Sequence, residues 1–216
     1  MRLTSHGHSA LLLALLLLLP ALPVRADLRN SFPGKRVKPS TRGECFSRSL
    51  IHLVPIDSTY APPSDGRLAM LQGPSGNPFP LVVTFRPYGG PDAVSEGAPG
   101  KTVTLDAAPA SLTLIPAPSI ETPMVWESTY QCTDDDAGGG MFGFVQAVSP
   151  PAETLLLNRP SMADQANAAD LAWVASSCGG TVAAAEVARR FAIEDLVTAD
   201  WPDQLPVRCL DQTAAL

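Results

Sequence analysis

The chain has 216 residues, 45% of them hydrophobic, with 15 basic against 21 acidic side chains and a net charge of −6. That length holds one well-buried core with room for an appendage. The acidic balance argues against nucleic acid as a partner.

The N-terminal segment carries Arg2, an unbroken apolar run from Ala10 to Leu19, two prolines, and then Val24-Arg25-Ala26. A charged start, about ten apolar residues and small residues at −3 and −1 describe a secretory signal peptide cleaved after Ala26. A membrane anchor is the competing reading, but the run falls short of the ~20 apolar residues a spanning helix needs. No cysteine follows the cleavage point to take a lipid, and no second long apolar run appears. Residues 1–26 are therefore expected to leave, delivering a chain without a membrane span to the periplasm or the extracellular space. Their removal takes Arg2 and Arg25 but no acid, moving the net charge to −8, and leaves His52 of three histidines.

Residues 27–44 read as a basic N-terminal arm. Arg29, Lys35, Arg36, Lys38, Arg42 and, just beyond it, Arg48 face only Asp27 and Glu44 nearby. A solvated tail is the ordinary meaning of such a run.

Residues 45–152 alternate with period two between Pro/Gly clusters. Leu81–Arg86, Thr102–Asp106, Ser111–Ile115 and Met124–Cys132 are the clear strands; Leu50–Val54, Arg67–Gln72 and Phe142–Val148 are weaker ones. In the fourth, Met124, Trp126, Tyr130 and Cys132 share one face, with Glu127, Thr129 and Gln131 on the other. Six to seven short strands with one buried face predict a mainly β fold, an antiparallel β-sandwich. Residues 153–216 predict a C-terminal α-helical hairpin packed on it. Ser161-x-x-Asp164 is a capping box, opening a helix that stops near Gly179-Gly180. Thr181 is placed to cap a second helix carrying Ala184, Val187, Ala188 and Phe191 at helical spacing, limited by Pro202.

Four cysteines in an exported chain, none in a C-x-x-C pair, imply disulfides. They allow three connectivities. Neighbourhood favours Cys178 with Cys209, both in the tail. If strand geometry runs back from Ile51 and Leu53 to Cys45, that cysteine and Cys132 both point inward and favour a Cys45–Cys132 pair.

Pro33-Gly-Lys-Arg36, Thr41-Arg-Gly-Glu-Cys45 and Leu50-x-x-Leu-Val-Pro55 together resemble the opening of a family of secreted, mainly cyanobacterial proteins of unknown function. In that family a Tyr/Trp-containing strand ending in Cys and a Gly-hydrophobic strand follow, as Trp126–Cys132 and Gly143–Val148 do here. The resemblance spans roughly Pro33 to Trp173. Lys38-Pro39-Ser40 stands where the family has a double glycine, and of the family's tail motif only Trp173 is kept. The resemblance implies a β-domain with a helical tail and brings no assigned activity.

Chemistry is sparse. His52 alone cannot supply a site that needs two imidazoles, and nothing beside it offers a nucleophile. Gly73-Pro-Ser-Gly76 lacks the spacing of a G-x-S-x-G nucleophile turn, and Gly97–Thr102 lacks the first glycine of a phosphate-binding loop. Asp134, Asp135 and Asp136 form a weak Ca²⁺ candidate, because consecutive carboxylates diverge; a solvated turn is the competing reading. Arg42 with Glu44 reads as a local ion pair, and Trp126 as a core aromatic rather than a sugar platform. The expectation is a secreted, non-catalytic binding or interaction module without catalytic residues or cofactor. No ligand is identified, and an envelope protein is one candidate partner. The alternatives are a carboxylate-dependent hydrolase or sugar-active enzyme, using acids such as Glu121, Glu127 or Asp134–Asp136, and a structural envelope component. A close carboxyl pair in a cleft would favour the first alternative.

Overall fold

The computed structural model describes residues 28–38, 47–90, 100–132 and 150–210. Residues 1–26, the Phe142–Val148 strand, Cys45 and Asp134–Asp136 lie outside them. The described strands are β1 (Leu50–His52), β2 (Thr59–Tyr60), β3 (Arg67–Gln72), β4 (Leu81–Pro87), β5 (Lys101–Leu105), β6 (Ser111–Pro116), β7 (Met124–Tyr130), β8 (Ala152–Leu156), β9 (Thr181–Ala183) and β10 (Gln204–Cys209). Helices are α1 (Leu28–Ser31), α2 (Met162–Ala175) and α3 (Ala184–Arg190).

The chain is mainly β, as the alternating segments predict. The strands form two five-stranded sheets, ordered β1-β3-β6-β10-β9 and β2-β8-β7-β4-β5. Both sheets are mixed rather than antiparallel. β10 runs parallel to β6, with Val207 opposite Leu112, and β2 runs parallel to β8. The chain leaves β6, builds β7 and β8 of the other sheet, then α2, the edge strand β9 and α3, and only then lays β10 beside β6. A crossover of that length delivers a parallel strand where a tight hairpin would deliver an antiparallel one.

Burial follows from this layering. In β4, Leu81, Val83 and Phe85 are buried while Val82, Thr84 and Arg86 are partly exposed, so one face looks inward. β6 is buried at every position. One face of the first sheet meets the second sheet, since Ser128 of β7 donates to the Met70 sulfur of β3. The same sheet also packs against α2, which contributes Leu171 and Val174 to the core shared by both sheets. Each large aliphatic side chain so enclosed contributes about 1.5–3 kcal/mol relative to exposure.

The tail is more than a helical hairpin. Ser161 and Asp164 form the expected capping box at the start of α2. Thr181, however, starts β9 instead of capping a helix, and α3 begins after Ala183 without a side-chain cap. α3 closes with Ile193 N–H donating to the Ala188 carbonyl, which places Ala192 in the left-handed region at φ 49°. This is the six-to-one bond of a Schellman terminus, with alanine where glycine is usual. Cys178 and Cys209 are bonded, joining the stretch after α2 to the end of β10.

The basic arm is not a solvated tail. Val37 bridges Ile51, and the arm's backbone bonds β1 through Lys38 N–H and the Arg36 carbonyl. On its other side the Lys35 carbonyl accepts from Glu153 N–H of β8. The arm therefore links the edge strand β1 of one sheet to β8 of the other. Arg36, Lys38 and Arg48 are 8%, 2% and 3% exposed. Arg36 donates to the carbonyls of Val54 (2.7 Å), Phe191 (3.1 Å) and Ala192 (3.0 Å). A guanidinium suits the negative end of α3, where backbone carbonyls lack helical partners. Arg48 donates to the Gly73 and Ala108 carbonyls and lies over the Tyr130 ring, as Lys38 does at longer range. Burial brings Lys38 down to about 8.

Candidate functional site

Several residues singled out in the sequence prove structural. His52 and Trp126 are fully buried and stacked on one another between the sheets. The His52 Nδ1 lies 2.9 Å from the Thr154 hydroxyl. Burial pushes its imidazole well below 6.5, so the ring is neutral at physiological pH. Trp126 has no exposed face to offer a sugar. His52, rather than Ile51, is the β1 residue that stacks on Trp126. Cys132 is disulfide-bonded, and no described cysteine is free. Cys45, Arg42, Glu44, Asp134, Asp135 and Asp136 lie outside the described residues. Glu121 is exposed.

Glu127 has a role that its sequence neighbourhood hides. It sits directly opposite Glu153 across the β7–β8 pairing, on the sheet face turned away from Trp126. Arg86 of β4 reaches both: its Nε donates to Glu127 at 2.7 Å, and its Nη2 lies 3.5 Å from Glu153. Partial burial holds the Glu153 carboxyl above its ordinary value; hydrogen bonding and repulsion from Glu127 add to this, and Arg86 opposes it. This is a carboxyl pair bridged by one guanidinium. An acid–base pair for glycoside hydrolysis needs roughly 5–10 Å between its carboxyls.

A concave surface lies elsewhere, in the tail. α3 and the chain from 194 to 203 enclose a cleft of about 340 Å³, near the lower end of small-ligand pockets. Its lining includes Ala184, Ala185 and Ala188 of α3, faced by Val197, Trp201 and Pro202, with Glu194 and Asp203 also on the wall. Local backbone bonds shape this wall. Val197 N–H donates to Ile193, Trp201 N–H to Thr198, and Ala184 N–H to the Asp203 carbonyl. Trp201 is only 8% exposed. Its ring edge packs so near Gly73 that a Cβ there would lie 3.3 Å from it, which anchors the wall to the sheet.

Charge around the cleft is one-sided. Glu194, Asp195, Asp200 and Asp203 fall within ten residues that include no lysine or arginine. Across from them, Arg189 is paired with Glu186, and Arg190 with Glu186 and Asp170. Those two guanidiniums hold the Glu186 carboxyl down at about 2. Helical spacing assigns Ala184 and Ala188 to a packing face and Pro202 to the end of the helix; the run of acids from 194 to 203 is the one feature of the sequence that marks this surface. Comparison with known proteins finds no matching family, no matching curated protein and no matching solved structure.

Proposed function

We propose that the protein is an exported, non-catalytic binding or interaction module, acting in the periplasm or outside the cell. In this reading its two sheets close as a sandwich that carries the tail on one outer face. The observation that carries it is the tail cleft: small apolar side chains and carboxylates line a concavity that is tied to the sheet. The Arg36 contacts hold the end of α3 beside the cleft, and the Cys178–Cys209 bond ties the stretch before β9 to the end of β10. Rigid support of this kind suits recognition, because little order must be gained on binding.

A carboxylate-dependent hydrolase is the second reading, favoured by one observation, the Glu127–Glu153 pair with its raised Glu153. One experiment separates them. The exported chain is screened against chromogenic esters and glycosides, and its melting temperature is followed with fractionated envelope extract. A binding module gives a rise in melting temperature that Ala185→Trp, which fills the cleft from an exposed position, abolishes. Turnover that disappears in Glu153→Gln overturns it in favour of the hydrolase.

A further inference from the structure

We infer that Arg48 and Gln72, beside the Tyr130 ring, bind a chloride ion between the two sheets. Three buried polar side chains meet at this ring. Arg48 Cζ lies 4.8 Å and Lys38 Nζ 5.8 Å from its centroid, and the Gln72 amide approaches its hydroxyl. Register explains the grouping. Gln72 pairs with Leu50 across β3 and β1, and the Leu50 carbonyl accepts from Lys38 N–H, so these residues form one row. Arg48 stands two residues before Leu50. Arg48, Lys38 and Gln72 are 3%, 2% and 1% exposed, so the place is sealed from bulk solvent.

Donors outnumber acceptors here. Arg48 donates from Nε to the Gly73 carbonyl at 2.9 Å and from Nη2 to the Ala108 carbonyl at 2.6 Å. Its Nη1 is buried with no hydrogen-bond partner among the described residues, and so is Gln72 Nε2. The Gln72 Oε1 accepts from the Thr113 hydroxyl, and the Tyr130 hydroxyl donates to the Ser49 carbonyl. Buried donors are almost always satisfied, and a buried charge is far costlier than a buried amide unless it is compensated. Arg48 forms no ion pair among the described residues.

An anion answers both needs, and the available donors select its kind. Carboxylates and phosphates favour the two-pronged edge of a guanidinium. On Arg48, carbonyls already take Nε and Nη2, which leaves one guanidinium nitrogen and one amide nitrogen. A spherical monovalent ion accepts such separate N–H groups without a fixed fork. A water molecule would accept the same bonds and leave the charge uncompensated.

Thermal unfolding of the disulfide-bonded exported chain tests this, in sodium chloride against sodium gluconate at matched ionic strength. An ion held only by the folded state raises the melting temperature with its concentration. Chloride and bromide should give that rise, and gluconate, too large for a sealed site, should not. Gln72→Leu removes one donor to the ion and should raise the half-saturating chloride concentration about tenfold. Gln72→Glu sets a carboxylate beside Arg48 and should abolish the chloride response. Arg48→Met should abolish it too; if that variant does not fold, Gln72→Glu decides. Crystals grown in bromide should show anomalous density beside Arg48 Nη1 and Gln72 Nε2. Coincident chloride and gluconate curves, a response unchanged in Gln72→Glu, or bromide density only elsewhere on the chain would overturn the assignment.

Discussion

The imidazole of His52 and the indole of Trp126 lie face to face, with ring centroids 3.5 Å apart and planes within 6°. One ring belongs to β1 and the other to β7, so the stack joins the two sheets. His52 Nε2 and Trp126 Nε1 have no hydrogen-bond partner among the described residues. A proton added to His52 would place a charge in that layer with no acid beside it to compensate.

Acid sensitivity follows. The unfolded histidine takes up a proton near 6.5, whereas burial keeps the folded one neutral until well below that. The unfolded state thus binds more protons. This contribution is full above pH 6.5 and declines by about 1.4 kcal/mol per pH unit below it, down to the folded value. Urea unfolding at pH 7.5, 6 and 5 measures the slope. His52→Phe keeps a stacking ring and removes the titration, so its profile should be flatter; a parallel profile would assign the slope to other groups.

Asp164 concentrates four interactions on one buried carboxylate. It accepts from the Ser161 and Ala61 backbone, from the Ser161 hydroxyl, and from Arg29 in an ion pair. Asp164→Asn should cost about 2–3 kcal/mol, below the ~3–5 of a fully buried pair because Arg29 is partly exposed. Ser161→Ala, which removes only the cap, should cost about 1 kcal/mol. Equal losses in the two variants would mean that the Arg29 contact adds nothing.

The arm makes a sharp contrast between a tail and a structural element. Arg36→Ala strips charged donors from three carbonyls, so a loss of about 2–4 kcal/mol is expected by denaturant titration. Arg36→Lys should recover little, since one ammonium cannot reproduce the planar fork. An unchanged midpoint in Arg36→Ala would return the arm to solvent.

Ala192 occupies a conformation that costs an L-residue about 1–2 kcal/mol. Ala192→Gly relieves that strain while loosening the unfolded chain by about 0.4–1 kcal/mol. A net gain of about 0.5–1 kcal/mol, read from the melting temperature, is expected. No gain would mean that the alanine methyl makes compensating contacts.

Peptide mapping of the secreted protein should find Asp27 at the N-terminus, a Cys178–Cys209 linked peptide and a second linked peptide joining Cys45 to Cys132. Across a sequence separation of 31 residues, losing the first bond through paired alanine substitutions should cost about 3–4 kcal/mol on the chain-entropy account. A free thiol at Cys45 would remove the second pairing.

What could be read in advance was whatever depends on near neighbours. Strands β4, β5 and β7 and the cap of α2 follow from period and turn chemistry within about ten residues. What stayed hidden depends on distant partners. β10 alternates buried Leu205 and Val207 with Gln204, Pro206 and Arg208, but Pro202 and Pro206 and the helical period before them disguise it. The basic arm looked solvated because its partners lie far along the chain, at Asp164, Phe191 and Ala192. Thr181 carried a helix-cap signature that pairing with β10 overrode. The Glu127–Glu153 pair and the tail cleft exist only through register and packing, which no local pattern encodes.

The place of β10 bears on how the protein is made. This strand lies inside its sheet, between β6 and β9, and its residues pair with β6 residues 95 positions earlier in the chain, as Val207 does with Leu112. A chain synthesised from its N-terminus presents β6 with an open, sticky edge until residues 204–209 arrive. Folding should therefore be slow for the protein's size, and products shortened before β10 should aggregate rather than persist as partly active domains.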